Sequence, residues 1–145
     1  MPIIRYPVGD RAVWLQPDSP GNPNRKYQIL GRSEEAARVG PVSVYYEDMR
    51  AVLASLDVKY AFQLLISHYE LKDALTVRLS TPGRPFNSKQ IEDAISEKFG
   101  EERRMFAEAA ADNKIHPLRF EWVAQSALEI NARTGKLRRV IDKRQ

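Results

Sequence analysis

The chain contains no cysteine among its 145 residues. That excludes disulfides, a thiolate nucleophile and thiolate zinc sites. It holds only two histidines, His68 and His116, which stand apart without metal-ligand spacing. They read as surface or turn histidines, and no metal site and no Ser-His-Asp arrangement is expected. No apolar run approaches the roughly 20 residues needed to cross a bilayer. The opening "MPIIRYPVGD" is no secretory signal, because Asp10 and Arg11 interrupt it before a long apolar stretch forms. Together these absences argue for a cytoplasmic protein without a membrane role. There is also no internal repeat, no low-complexity segment and no complete phosphate loop of the form G-x-x-x-x-G-K-[ST].

What is present is enough for one domain with a real core. Hydrophobic residues make up 43% of the chain, more than disordered chains carry. The net charge is +4, from 23 basic and 19 acidic residues. Much of the excess lies in Lys136, Arg138, Arg139, Lys143 and Arg144. Three readings of this end are open: a solvated tail, an anion-binding edge or a nucleic-acid contact. The excess is small and aromatics do not interleave with the basic run, which argues against nucleic acid.

Local pattern gives the element order. "IIRY" (3–6), "RAVWLQ" (11–16) and "KYQILG" (26–31) read as strands, the last two flanking a loop dense in Pro, Gly, Asn and Asp. They make an open hairpin. "VSVYY" (42–46) is another strand. Met49, Val52, Leu53 and Leu56 form a helical stripe. "YAFQLLIS" (60–67) reads as a strand buried on both faces. "ALTVRLS" (74–80) alternates, with Leu75, Val77 and Leu79 on one side. Asn87, with Gln90 three residues on, is placed to make a capping box. Ile91, Ala94, Ile95 and Phe99 form the helix stripe, and Gly100 is placed to end it. "EERRMFAEAAADNK" (101–114) reads as an alanine-rich helix. "LRFEW" (118–122) alternates again, with Leu118, Phe120 and Trp122 inward. After residue 40 the order is β-α-β-β-α-α-β, which predicts an α+β fold: a small sheet packed with helices.

Three stretches carry a resemblance. They are "IRYPVGDRAVW" (4–14), "YQILGRSEEAARVGPVSVYYEDMRAVL" (27–53) and "NARTGKLRRVIDKR" (131–144). In order and spacing they resemble the C-terminal end of the adenylate-forming enzymes, in particular the phenylacetate-CoA ligase branch. The middle stretch keeps Gly31, Arg32, Val39, Val42 and Val44, and the last keeps Arg133, Gly135, Lys136, Arg139, Val140 and Asp142. The resemblance implies a lid domain over residues 32–145, preceded at 1–31 by the last strands of a larger N-terminal body. It implies that Asp10 accepts hydrogen bonds from the ribose hydroxyls of ATP, as an ionised carboxylate can. Arg32 would lie near the ribose and phosphate, and Glu34 at the hinge about which the lid turns. Lys136 would be the catalytic lysine that offsets charge at the acyl carboxylate and α-phosphate during adenylation.

Several positions depart from the family pattern. Val8 stands for the threonine before Gly9-Asp10, Glu34 for the hinge aspartate, Arg38 for a lysine, Pro41 for a glycine and Asn131 for a proline. The family's phosphate loop, acyl pocket and Mg²⁺ glutamate have no counterpart in these residues. The chain is therefore expected to be silent alone. ATP/AMP and Mg²⁺ would act only in a complete acid–thiol ligase, formed with an N-terminal adenylation body in trans. CoA or a carrier-protein thiol would be the acceptor. The second expectation is a non-catalytic binding or regulatory module with the lid fold, docked on such a partner.

Overall fold

The computed structural model describes residues 10–15, 21, 23, 24, 26–32 and 36–144, with backbone alone at 10, 11 and 30–32. The strand expected at 3–6 lies outside the described residues. Among those described, β1 (Asp10–Trp14) pairs antiparallel with β2 (Tyr27–Arg32), with a register shift between Arg11 and Ala12. This is the expected open hairpin. A second hairpin, β3 (Ala36–Val39) with β4 (Val42–Tyr45), turns through Gly40 and Pro41. Gly40 has φ +54°. A positive φ at the first central position suits a two-residue hairpin turn, and proline's fixed φ suits the second.

The main sheet has the order β7-β6-β5-β8. Its centre is a long antiparallel hairpin of β5 (Phe62–Tyr69) and β6 (Lys72–Ser80). Both turn residues, Glu70 (φ +49°) and Leu71 (φ +64°), are left-handed, as the tightest hairpin turn requires. Neither is glycine or asparagine, and the strands run two residues beyond the expected ends at Ser67 and Ala74. β7 (Arg119–Val123) adds parallel to β6, and β8 (Val140–Asp142) adds parallel to β5. The architecture is α+β: a small mixed sheet and three helices.

Register divides the sheet into two faces. Phe62, Leu64 and Ile66 lie opposite Leu79, Val77 and Leu75. These six share the main core with Met49, Val52 and Leu53 of α1 (Tyr46–Ser55), Ile95 and Phe99 of α2 (Ser88–Glu102), and Phe106 and Ala109 of α3 (Arg104–Ala111). Ala37, Val39, Val42 and Val44 join from the β3–β4 hairpin. Each such large apolar side chain, fully buried, contributes about 1.5–3 kcal/mol of transfer free energy. The opposite face carries Gln63, Leu65, Thr76 and Arg78, with Ile141 beside Leu65.

Two helix-end expectations fail. Asn87 precedes α2 but makes no side-chain cap hydrogen bond, and its backbone (φ −94°, ψ 20°) is not in the extended conformation of an N-cap. The reciprocal bond occurs instead at α1, where the Tyr45 N–H donates to Asp48 Oδ2 at 3.0 Å. Gly100 does not end α2, which runs on to Glu102 and breaks at Arg103 (φ −120°, ψ 66°). Arg103 has other bonds there: its guanidinium donates to the Ser43 carbonyl at 2.6 Å and pairs with Asp48 at 3.7 Å. Tertiary partners for the arginine, not the glycine, set the break.

Candidate functional site

Lys136 lies near the tip of a hairpin spanning 129–138. Ile130 and Leu137 form an isolated bridge across its limbs. The Asn131 N–H donates to the Lys136 carbonyl (2.8 Å), and the Gly135 N–H returns to the Asn131 carbonyl (2.8 Å). Asn131 Oδ1 also accepts from the N–H groups of Arg133 (2.9 Å) and Thr134 (3.3 Å). This is an Asx-type turn, which asparagine makes and proline cannot. Gly135 takes φ +67°, the left-handed conformation that costs glycine little. The loop is thus tied by its own backbone and by Asn131. The Lys136 side chain is exposed and makes no hydrogen bond or ion pair among the described residues.

Of its basic neighbours, Arg138, Arg139 and Lys143 are engaged, while Arg133 in the same hairpin is exposed and makes no ion pair among the described residues. Lys143 Nζ pairs with Glu129 at 2.9 Å, Arg138 approaches the same carboxylate at 3.7 Å and Arg78 at 3.8 Å. The Lys143 hydrogen bond is the main reason the Glu129 carboxyl sits below its ordinary pKa. Arg139 lies over the Tyr46 ring at 5.1 Å, and Tyr46 stacks on Phe62 at 4.3 Å.

A second cluster centres on Asp73, whose side chain is only 13% exposed. Its Oδ2 accepts from the Gly40 N–H (2.8 Å) and from Arg144 (2.8 Å), and its Oδ1 meets His68 Nδ1 at 2.7 Å. Arg144 also grips Asp142 and donates to the Arg38 carbonyl at 2.8 Å. Burial pushes the Asp73 carboxyl up, but the bonds from His68, Gly40 and Arg144 outweigh it and hold the pKa below the ordinary value. For Asp142, the Arg144 hydrogen bond is the leading cause of a lowered pKa, and the same bond raises that of Arg144. His116 donates its backbone N–H to the Asp73 carbonyl (2.9 Å) and stacks on Tyr69 at 3.9 Å. Asp73 therefore locks the Gly40–Pro41 turn and the C-terminal strand to the main sheet. Both histidines belong to this clamp, and His116 is buried, not on the surface.

Asp10 and Arg32 are Cα partners at the open end of the β1–β2 hairpin, so the fold brings these two positions together. Lys136 stands on a separate hairpin. Glu34 lies outside the described residues. Gln63 and Asp73 were not singled out from sequence, and Asn131 was noted only as a departure from the family pattern, not for the turn it makes. Gln63 was visible as the one amide inside the apolar run "YAFQLLI", and Asn131 as the head of an N-x-x-T-G turn signature. Asp73 gave no such signal, since its partners lie 5, 33 and 71 residues away.

No family model matches the sequence, and no curated protein matches it. Among solved structures, the chain is similar to a domain of phenylacetate-coenzyme A ligase from Bacteroides vulgatus ATCC 8482, at 14% identity and TM-score 0.45, over 77% of this chain and 94% of that one. It is also similar to 2-hydroxyisobutyryl-CoA ligase in the postadenylation state, at 21% identity and TM-score 0.47, over 94% of this chain and 28% of that one. An acyl-CoA synthetase (AMP-forming)/AMP-acid ligase II-like protein from Dyadobacter fermentans DSM 18053 matches at 16% identity and TM-score 0.44, over 77% of this chain and 29% of that one. The chain thus spans under a third of the two longer structures.

Proposed function

We propose that this chain is the lid-forming part of an ATP-dependent acyl or aryl ligase, with Lys136 as its catalytic lysine. The observation that supports this best is the 131–142 stretch. A lysine with no partner among the described residues follows a left-handed glycine, in a hairpin where Arg138 and, just beyond it, Arg139 and Lys143 are already engaged. In the reaction, a carboxylate oxygen attacks the α-phosphorus of ATP and the bond to pyrophosphate breaks; a thiol sulfur then attacks the acyl carbon of the acyl-adenylate, the bond from that carbon to the phosphate oxygen breaks, and AMP leaves. Lys136 would offset the negative charge that builds at the α-phosphate and carboxylate. Asp10 would hold the ribose, Arg32 the phosphate side, and Glu34 would be the hinge. The Mg²⁺ that accompanies ATP is assigned to no residue here: among the described residues no three His, Asp or Glu side chains converge as a metal site. The adenine and acyl sites belong to a large body, in the same chain or another.

The test joins this chain, fused or in trans, to the large domain of an acyl-CoA ligase deprived of its own lid. Lys136→Ala should slow pyrophosphate release by roughly two orders of magnitude, the scale for losing one preorganised charge-stabilising group. Thiol transfer from preformed acyl-adenylate should be spared, and Arg138→Ala should change little. Intact adenylation with Lys136→Ala would refute the proposal. It would favour the second reading, a docking module without catalysis, to which the exposed Val13, Trp14, Leu15, Tyr27 and Ile29 of the first hairpin would contribute.

A further inference from the structure

Gln63 is fully buried (0% exposed) at the second position of β5, between apolar neighbours. Burying an amide is unfavourable unless its bonding capacity is met. Here it is met from one source. Nε2 donates to the Glu129 carbonyl (2.7 Å) and to the Arg138 carbonyl (2.7 Å), and Oε1 accepts from the Glu129 N–H (3.1 Å). Glu129 and Arg138 are the two feet of the hairpin that carries Lys136. Their own ladder bond, Arg138 N–H to the Glu129 carbonyl, measures 3.0 Å, and the next rung, Leu64 N–H to the Arg139 carbonyl, 2.9 Å. One side chain on the second face of the sheet thus grips both limbs of the loop, while Asn131 ties its tip. Between them the hairpin has one register and one angle to the sheet.

No other side chain of this size does the same. Methionine would fill the space but leave the Arg138 carbonyl and the Glu129 N–H unpaired, with the Glu129 carbonyl keeping only its bond from the Arg138 N–H. Glutamate would set a carboxylate against two carbonyl oxygens. The contact spans 66 and 75 residues of sequence, so it fixes the loop to the core and not merely to itself. We infer that Gln63 is the positioning residue for Lys136. It holds the hairpin so that the lysine ammonium is presented at a fixed height and direction over whatever site the lid closes on. The catalytic half of this inference rests on the function proposed above; the mechanical half does not. Misplacement of a catalytic group by about 1 Å can cost roughly 100-fold in rate, so a loosened base would matter to the reaction without touching substrate.

Two measurements test it. The first is amide hydrogen exchange on the whole chain bearing Gln63→Met, read against wild type. The Asn131, Gly135 and Arg138 amides should exchange roughly tenfold faster or more, as lost buried hydrogen bonds allow. The Leu75, Val77 and Leu79 amides should hold their rates. Should Gln63→Met not fold, Gln63→Asn, which keeps the amide but shortens its reach, is read the same way. Unchanged loop amides, or loop and core amides loosened equally, overturn the inference. The second measurement uses the joined enzyme. Gln63→Met should lower kcat for pyrophosphate release with KM for ATP little changed, and should spare thiol transfer. In a Lys136→Ala background it should have no further effect, because its effect passes through the lysine. If Lys136→Ala alone slows adenylation but Gln63→Met adds its full effect on top, or has none, the positioning role is refuted. If Lys136→Ala is itself silent, the function fails while the exchange result still decides whether Gln63 holds the loop.

Discussion

Substituting alanine at three glycines gives three different answers. At Gly40 the backbone is left-handed (φ +54°), and an added Cβ would lie 2.6 Å from Ile115 Cγ2. Ile115 is 1% exposed and β-branched, so its methyl cannot swing away freely. The left-handed conformation costs a non-glycine residue about 1–2 kcal/mol, and overpacking a filled core adds about 1–3. Reduced freedom of the unfolded chain returns about 0.4–1. Gly40→Ala should therefore destabilise by about 1–5 kcal/mol. Any shift of the turn would also strain the 2.8 Å bond from the Gly40 N–H to Asp73. At Gly135, φ is +67° with nothing within 4 Å of the new Cβ, so only the conformational term remains, about 1 kcal/mol or less. At Gly100, inside α2, the new Cβ would meet the Ala107 Cβ at 3.6 Å, an ordinary contact. Gly100→Ala should stabilise by about 0.5–1 kcal/mol, the usual gain in a helix interior. Reversible thermal or urea unfolding ranks the three. At about 4 °C per kcal/mol for a chain of this size, Gly40→Ala should lower Tm by roughly 4–20 °C. If Gly40→Ala costs no more than Gly135→Ala, Ile115 yields without penalty and the packing argument is wrong.

Asp73, Glu129 and Asp142 all titrate below their ordinary values in the folded chain, so each contributes stability above the unfolded pKa of about 4 that is lost as pH falls through the folded value. Tm should accordingly drop on acidification from about pH 5 downward, and Asp73→Asn should flatten that drop; an unchanged slope would remove Asp73 as its source. Asp73→Ala, which strips the Gly40 N–H and Arg144 of a largely buried acceptor, should cost about 1–3 kcal/mol in urea unfolding. Lys136→Ala should alter stability by less than about 0.5 kcal/mol, since its side chain holds nothing in the fold; a larger loss would make it structural. Removal of residues 143–145, Arg144 among them, should speed exchange at the Gly40 amide, and an unaltered rate would show that the clamp does not need the arginine.

The core was legible because its elements carry strong local periods. The α1 stripe of Met49, Val52 and Leu53 and the alternation of Leu75, Val77 and Leu79 each state a face, and those residues are buried as their spacing requires. What could not be read locally was decided by partners far away in sequence. β3 is four residues long, and Ala36–Val39 has no alternation strong enough to mark a strand without its β4 partner. β8 is three residues long and lies in a stretch whose charge reads as a solvated tail. It pairs parallel with β5 because Ile141 meets Leu65 on the second face, a contact that no short window contains.

The same distinction runs through the candidate site. Lys136, Gly135 and Arg133 stand in one contiguous stretch, so a motif could find them, and the exposed lysine and left-handed glycine lie within six residues of Asn131. What orients that stretch is elsewhere. A buried amide in an apolar strand is a physical anomaly, and its sequence position alone says that something polar must meet it. It does not say what. The answer comes only from topology: β8 beside β5 brings Arg138 and Glu129 over Gln63, so the strand that looks like surplus charge also seats the loop. Motif residues answer for chemistry and can be read in a line. The residues that aim them are chosen by the fold, and their mark in the sequence is a polar side chain where the pattern asks for an apolar one.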